Sequence, residues 1–470
     1  MKKLVLLLFV IVSLQISAQE LRLKKGVVVD AIKVSDSLPQ SFSLFLPSNF
    51  NTDKKWPVMF IVDYNGKEKQ VIRLLANTAE REGYILAASN NLNDTLSISK
   101  NILAFTKTYN AIVSMLPLND SQVYISGFNA GGRLATTIPA FISNIDGVLS
   151  YNAAIGNIEI INVDKPYQYI GIVSSSNYNY MAMLSNRTIL NRLKFPNQLF
   201  VVDEAKEWPS QNSIDKAFSI FKLSAMAKGN VSKDTTYVTE NFTAITSEIN
   251  NLVAANKLKK AKDLIDQSIV VYKPFKNIEA LKDKSNELRK NKIYKSLRRA
   301  ENNMFFKEQS LKDDFNYYIE EDAYTYNFNN LGWWAHQIDE ISKFKNSTDL
   351  EQQKMGHRLH SYLVALTDDF TESNLVEKNI DYDALSFLYM LKTIVAPEAY
   401  DAYLEIIALS AKNDDFGTSI FYLEELLKNG YTNADKLYDL EFTTLLKITP
   451  EYNQLIEKYL KKGRYILKEE

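Results

Sequence analysis

Residues 122–132 read Gln122-Val123-Tyr124-Ile125-Ser126-Gly127-Phe128-Asn129-Ala130-Gly131-Gly132. The β-branched, apolar run over 122–126 predicts a strand, and the spacing that follows predicts a helix over 131–142. Gly127 and Gly131 flank the turn residue Asn129. Glycines there allow a sharp turn and a close helix–strand approach, which a Cβ at either place would obstruct. On either side of this segment, strands are predicted at 41–46, 57–63, 84–89, 147–150, 168–173 and 198–202. Helices predicted at 68–82, 98–115 and 180–193 lie between them. Several of the strands are continuous apolar runs, as burial on both faces requires. Strand–helix alternation of this kind means an α/β fold with a largely parallel sheet.

The pattern changes near residue 225. Residues 19–225 hold nine Gly and eight Pro, whereas 226–470 hold six and three. The second half reads as all-α, with helices predicted at 246–272, 278–304, 351–368, 396–412 and 418–430. Two stretches have the small-and-large apolar spacing of a helix hairpin. One is Ala254-Ala255-Asn256-Lys257-Leu258 with Ala261 and Leu264. The other is Ala411-Lys412-Asn413-Asp414-Asp415-Phe416 with Ile420, Leu423, Leu426 and Gly430. They resemble degenerate tetratricopeptide repeats, with a plain helical bundle as the alternative. The expected organisation is an α/β domain over 19–225 and a helical domain over 226–470.

The first eighteen residues have the order of a secretory signal peptide. Lys2 and Lys3 precede the apolar run 4–12, and Ser17-Ala18 precedes the polar pair Gln19-Glu20. The run is short of the roughly 20 residues that a membrane anchor, the competing reading, would need. Cleavage after Ala18 and a periplasmic or secreted mature chain are expected, with no later segment apolar enough to span a bilayer. Lys and Arg total 55 against 56 for Asp and Glu, a balance with no footprint for nucleic acid or an anionic membrane. The chain has no cysteine, which excludes disulfides, thiolate catalysis and cysteine metal sites.

Strand, tight glycine-flanked turn and helix are the setting of the nucleophile elbow, G-x-S-x-G. On these residues the first half resembles the α/β-hydrolase superfamily, in particular secreted esterases of the feruloyl-esterase and polyhydroxybutyrate-depolymerase kind. The likeness spans roughly 40–225 and includes Phe45-Leu46-Pro47, Trp56-Pro57 and Glu207-Trp208-Pro209. It implies a serine nucleophile where Asn129 stands, a histidine where Lys206 stands, and a carboxylate just after strand 168–173, where Ser174-Ser175-Ser176-Asn177 stands. An amide is a poor nucleophile with no proton that a base could usefully remove. All three triad positions, Asn129, Lys206 and Asn177, are therefore expected to be vacant. The backbone amide of Ala130, with one near Tyr64-Asn65-Gly66, retains the makings of an oxyanion hole.

The histidines His336, His357 and His360 all lie in the helical half. The spacing of His357 and His360 suits two metal ligands on one helix face, but nothing completes such a site, so an exposed polar face is the reading and no metal or cofactor is expected. Lys206 between Glu204 and Glu207 reads as a solvated loop rather than a base. Asp414 and Asp415 read as helix-turn carboxylates, and the basic run 282–299 as a solvated surface. Trp333 and Trp334, downstream of Tyr324, Tyr326 and Phe328, are helix core or a ligand contact. The function expected is non-catalytic binding or scaffolding: a protein partner on the helical half, and a small molecule or glycan in the old cleft. The alternatives are an active esterase using other residues and a glycan- or lipid-binding protein.

Overall fold

The computed structural model describes residues 23–35, 37–64, 66–203 and 208–465. The expected signal peptide, Asn65 and Lys206 lie outside them. Eight strands form one sheet among the described residues, in the order β1-β2-β4-β3-β5-β6-β7-β8. They are β1 Val28–Lys33, β2 Ser41–Phe45, β3 Trp56–Val62, β4 Ile85–Ser89, β5 Leu118–Phe128, β6 Gly147–Tyr151, β7 Gln168–Ser174 and β8 Asn197–Val202. β2 runs antiparallel to β1 and β4; every other pairing is parallel.

Both faces of the central strands are buried, which is why several of them read as nearly continuous apolar runs. Along β3, Val58, Phe60 and Val62 enter one core with Ala104, Phe105 and Ile112 of α2 (Ile98–Met115) and Leu134 of α3 (Ala130–Thr137). Met59 and Ile61 enter the other, against Val71, Ile72 and Leu75 of α1 (Glu68–Glu82) and Phe218 and Phe221 of α5 (Gln211–Ala227). The fourth helix, α4, is Tyr180–Arg192. The first strand, β1, was not among the expected ones: it is a bulged edge strand with only Ile32 buried, so it lacks the apolar run that marks its neighbours.

The second half is helical, as expected, with different divisions. The stretch expected as one helix over 246–272 is two, α6 (Thr235–Ala254) and α7 (Leu258–Tyr272), turned at Asn256 with φ +56°. The stretch expected as 278–304 is also two, α8 (Glu279–Lys290) and α9 (Lys292–Thr325). Asn291 separates them: its extended backbone ends α8, and its side chain caps α9 by accepting from the Ile293 and Tyr294 amides. Next come α10 (Leu331–Lys345), α11 (Leu350–Leu375), α12 (Tyr382–Val395), α13 (Tyr400–Lys412) and α14 (Phe416–Lys428). The α13–α14 turn repeats the α6–α7 turn, with Asp414 at φ +58°, and Asp415 caps α14 by accepting from Thr418 N at 3.0 Å.

The helical half packs directly on the sheet. Strand β8 is an edge that would expose backbone groups; Gln267 of α7 covers it, accepting from Leu199 N at 2.7 Å and donating to Leu199 O at 2.9 Å. Arg187 pairs with Asp263 at 2.5 Å, Lys216 with Glu248 at 2.6 Å and Lys260 with Asp203 at 2.6 Å. No helix among the described residues is long and apolar enough to cross a membrane.

Candidate functional site

The turn after β5 has the geometry of a nucleophile elbow. Asn129 adopts φ +50° and ψ −123°, a backbone region that costs a residue with a Cβ of order 1–3 kcal/mol unless its surroundings impose it. The glycines are sterically required. A Cβ on Gly127 would lie 2.3 Å from the Gly131 carbonyl oxygen, and one on Gly131 would lie 2.5 Å from the Val62 oxygen. The turn is pinned from β6, whose Tyr151 oxygen accepts from Asn129 N at 2.9 Å. Asn129 and Ala130 are both exposed. The Ala130 N–H is the first of α3, where backbone donors have no partner within the helix. Tyr64, on the facing loop, is half-buried, and burial with the nearby Asp94 charge pushes its hydroxyl up to about 12.

The place after β7 is built from backbone and amides. Asn152, at the end of β6, accepts from Ser174 N at 2.9 Å. Ser175 N donates to Val202 O at 2.8 Å, and Asn177 accepts from Asn179 N at 2.9 Å. The Ser175 carbonyl points into the helical half, where Arg358 of α11 donates to it through Nη1 at 2.7 Å. Arg358 is buried, held by Glu308 of α9 at 2.8 Å through Nε and 2.7 Å through Nη2. Lys312 pairs with the same carboxylate at 2.8 Å; burial pushes its ammonium down while Glu308 pulls the other way. The Arg358 guanidinium also sits over the rings of Tyr180 and Phe305.

α11 thus crosses the C-terminal ends of the strands. Its start, Glu351, pairs with Lys259, its middle holds Ser175, and farther along the Arg133 charge acts on Asp369 and that of Asp94 on Glu372. Between β6–β8 and the helices lies a cavity of about 750 Å³, lined among others by Tyr151, Ser175, Asp203, Trp208 and Lys260. Burial raises the Asp203 carboxyl, but the Lys260 hydrogen bond and charge outweigh it and hold it below the ordinary value. Trp208 stacks edge-on against Phe128 of the elbow strand, so the cavity adjoins the turn.

Trp334 is buried, donates from Nε1 to Asp322 at 2.9 Å and packs in a helical core, so it offers no face to a ligand. Trp333 is half-buried against the same core. His357 is exposed, but His360 is half-buried with Nε2 3.0 Å from the Val395 oxygen, so the pair does not present one polar face. No group of metal-ligating side chains forms among the described residues. Sequence reasoning missed Arg358 and Glu308, since nothing local marks an arginine on a helix as buried against a strand end.

No family model matches the sequence, nor does any curated protein. Solved structures align with part of the chain. The fluorophosphonate-binding serine hydrolase F of Staphylococcus aureus, substrate bound, is 14% identical over 42% of this chain and 97% of its own, with a TM-score of 0.35. The S-formylglutathione hydrolase of the same species is 12% identical over 43% and 99%, with a TM-score of 0.34. Est1E of Butyrivibrio proteoclasticus is 11% identical over 43% and 99%, again at 0.34. The sheet order and the helices that follow it define a mostly parallel, eight-stranded α/β sheet joined to an all-α half.

Proposed function

We propose that this chain is a non-catalytic binding or scaffold protein, exported from the cytoplasm and built on a hydrolase fold whose triad is lost. The observation that carries the reading is the Arg358–Ser175 contact. The place after β7 where the resemblance puts a triad carboxylate holds backbone groups, serines and asparagines, and a guanidinium anchored in the helical half donates to the Ser175 carbonyl there. A triad needs a carboxylate there to orient a base; a cation opposes the imidazolium that forms during turnover. The elbow supports the same conclusion, because its glycines preserve the turn while Asn129 supplies no nucleophile.

Binding then falls to the cavity and the helical half. The half-buried Trp208, beside paired acids and bases, suits a polar ligand such as a glycan. Hairpins such as α6–α7 and α13–α14, read as degenerate repeats, suit a protein partner.

The test is hydrolysis of short-chain nitrophenyl esters by the purified protein, alongside Asn129→Ala and Asn129→Ser variants. No turnover above the Asn129→Ala background is expected, and none is gained by the serine. Turnover in the unmodified protein that Asn129→Ala abolishes refutes the proposal. A glycan that raises the melting temperature of the unmodified protein but not of Trp208→Ala locates binding in the cavity, since a ligand must stabilise the state it binds.

A further inference from the structure

Helix α9 is 34 residues long, about 51 Å at 1.5 Å per residue. One face is buried through Tyr294, Glu308, Lys312, Phe315 and Ile319. The opposite face carries Phe306, Tyr317 and Tyr324, which are 81%, 59% and 83% exposed. Large aromatics so open to water, aligned along one rigid element, mark an interaction surface.

The exposed charges of α9 are segregated. From 292 to 307 they are Lys292, Lys295, Arg298, Arg299 and Lys307; from 309 to 325 they are Asp313, Asp314, Glu320 and Glu321. The helix macrodipole favours the reverse, with anions at the N-terminus and cations at the C-terminus. Ion pairing within the chain does not explain the order either: among the described residues none of these nine side chains forms an ion pair, although Asp313 accepts from Gln309 Nε2 at 2.7 Å and Lys307 sits over the Phe344 ring.

We propose that this face pairs with a second copy of the chain, α9 antiparallel to α9, with Phe306 on the two-fold axis. In that register Arg299, seven residues before Phe306, faces Asp313, seven after. Lys295, eleven before, faces Tyr317, eleven after, and Lys292, fourteen before, faces Glu320, fourteen after. Steps of seven, eleven and fourteen keep all these residues on one helix face. Each contact occurs twice, as a self-complementary isologous interface requires, and Lys295 over Tyr317 adds a cation–π contact. At ~200 Å² per ring, the exposed parts of Phe306 and Tyr317 on two copies offer roughly 560 Å², while Tyr324 lies beyond the start of the partner's α9. With the charged stems beside these rings the contact falls in the small, reversible class below about 1,200 Å², so the dimer forms and dissociates with concentration.

Sedimentation velocity on the full chain tests this. A concentration-dependent dimer is expected, weakened about tenfold or more by Arg299→Asp alone and by Asp313→Arg alone. The double variant restores the pair in swapped form and returns the affinity to within about threefold of the unmodified chain. Because the chain has no cysteine, Phe306→Cys introduces a single thiol, and mild oxidation is expected to give a covalent dimer that Val270→Cys, exposed elsewhere, does not. A chain that stays monomeric at ~100 µM, or a double variant that dimerises no better than the single ones, overturns the proposal.

Discussion

Replacing Arg358 with methionine removes a buried side chain of α11 that ties the end of β7 to Glu308 of α9. Its guanidinium is buried and makes three close contacts, to Glu308 through Nε and Nη2 and to Ser175 O through Nη1. Breaking a buried ion pair from one side costs about 3–5 kcal/mol, because the remaining charge stays buried without its partner. Glu308 keeps Lys312 at 2.8 Å, which places the cost at the lower end, about 3 kcal/mol. Urea unfolding followed by tryptophan fluorescence reads it. With a slope of roughly 3 kcal/mol per molar, the midpoint falls by about 1 M. Adding Glu308→Leu removes the stranded carboxylate and recovers at least half of the loss, since an apolar replacement of both partners is often neutral. A shift below ~0.3 M for Arg358→Met, the size of an exposed surface pair, refutes the view that this contact locks the two halves together.

Gly131→Ala forces a Cβ to within 2.5 Å of the Val62 oxygen and is expected to lower stability by about 1–3 kcal/mol, whereas Gly332→Ala, with nothing within 4 Å, leaves it unchanged or slightly higher; thermal unfolding of the two variants checks this. Burial, and then the Lys345 charge, hold the His360 imidazole below its ordinary value of 6.5. Its contribution is therefore fully present above 6.5 and declines as pH falls from there to the lower folded value. A ring titration by NMR with a midpoint at or above 6.5 contradicts that placement.

The buried strands were readable because a strand covered on both faces is apolar along most of its length: β3 is apolar throughout, and β4, β6 and β7 depart from it only at Ser89, Ser150, Gln168 and Ser174. The two glycines of the elbow were readable for a related reason. Their need is local, set by Gly131 and Val62 oxygens that approach within a few residues or across one strand pair. Strand β1 escaped because an edge strand with one buried side chain carries no such pattern. The break at Asn291 escaped because the helical spacing continues on both sides of it, and only the cap interaction shows where one helix ends.

The chain alone specified the α/β-then-helical order, the glycine-flanked turn, and the identities Asn129, Lys206 and Ser174 to Asn177 at the places the resemblance singles out. These depend on residue identity and short-range spacing. Folding in three dimensions decided what meets the chain after β7. Arg358 and Ser175 stand 183 residues apart, and a contact at that separation leaves no periodicity for a reader of the sequence to find. The same holds for Trp334, whose burial comes from helices on three sides. For α9 the sequence supplied the order of charges, but which of them reach water was set by the helices packed on its other face.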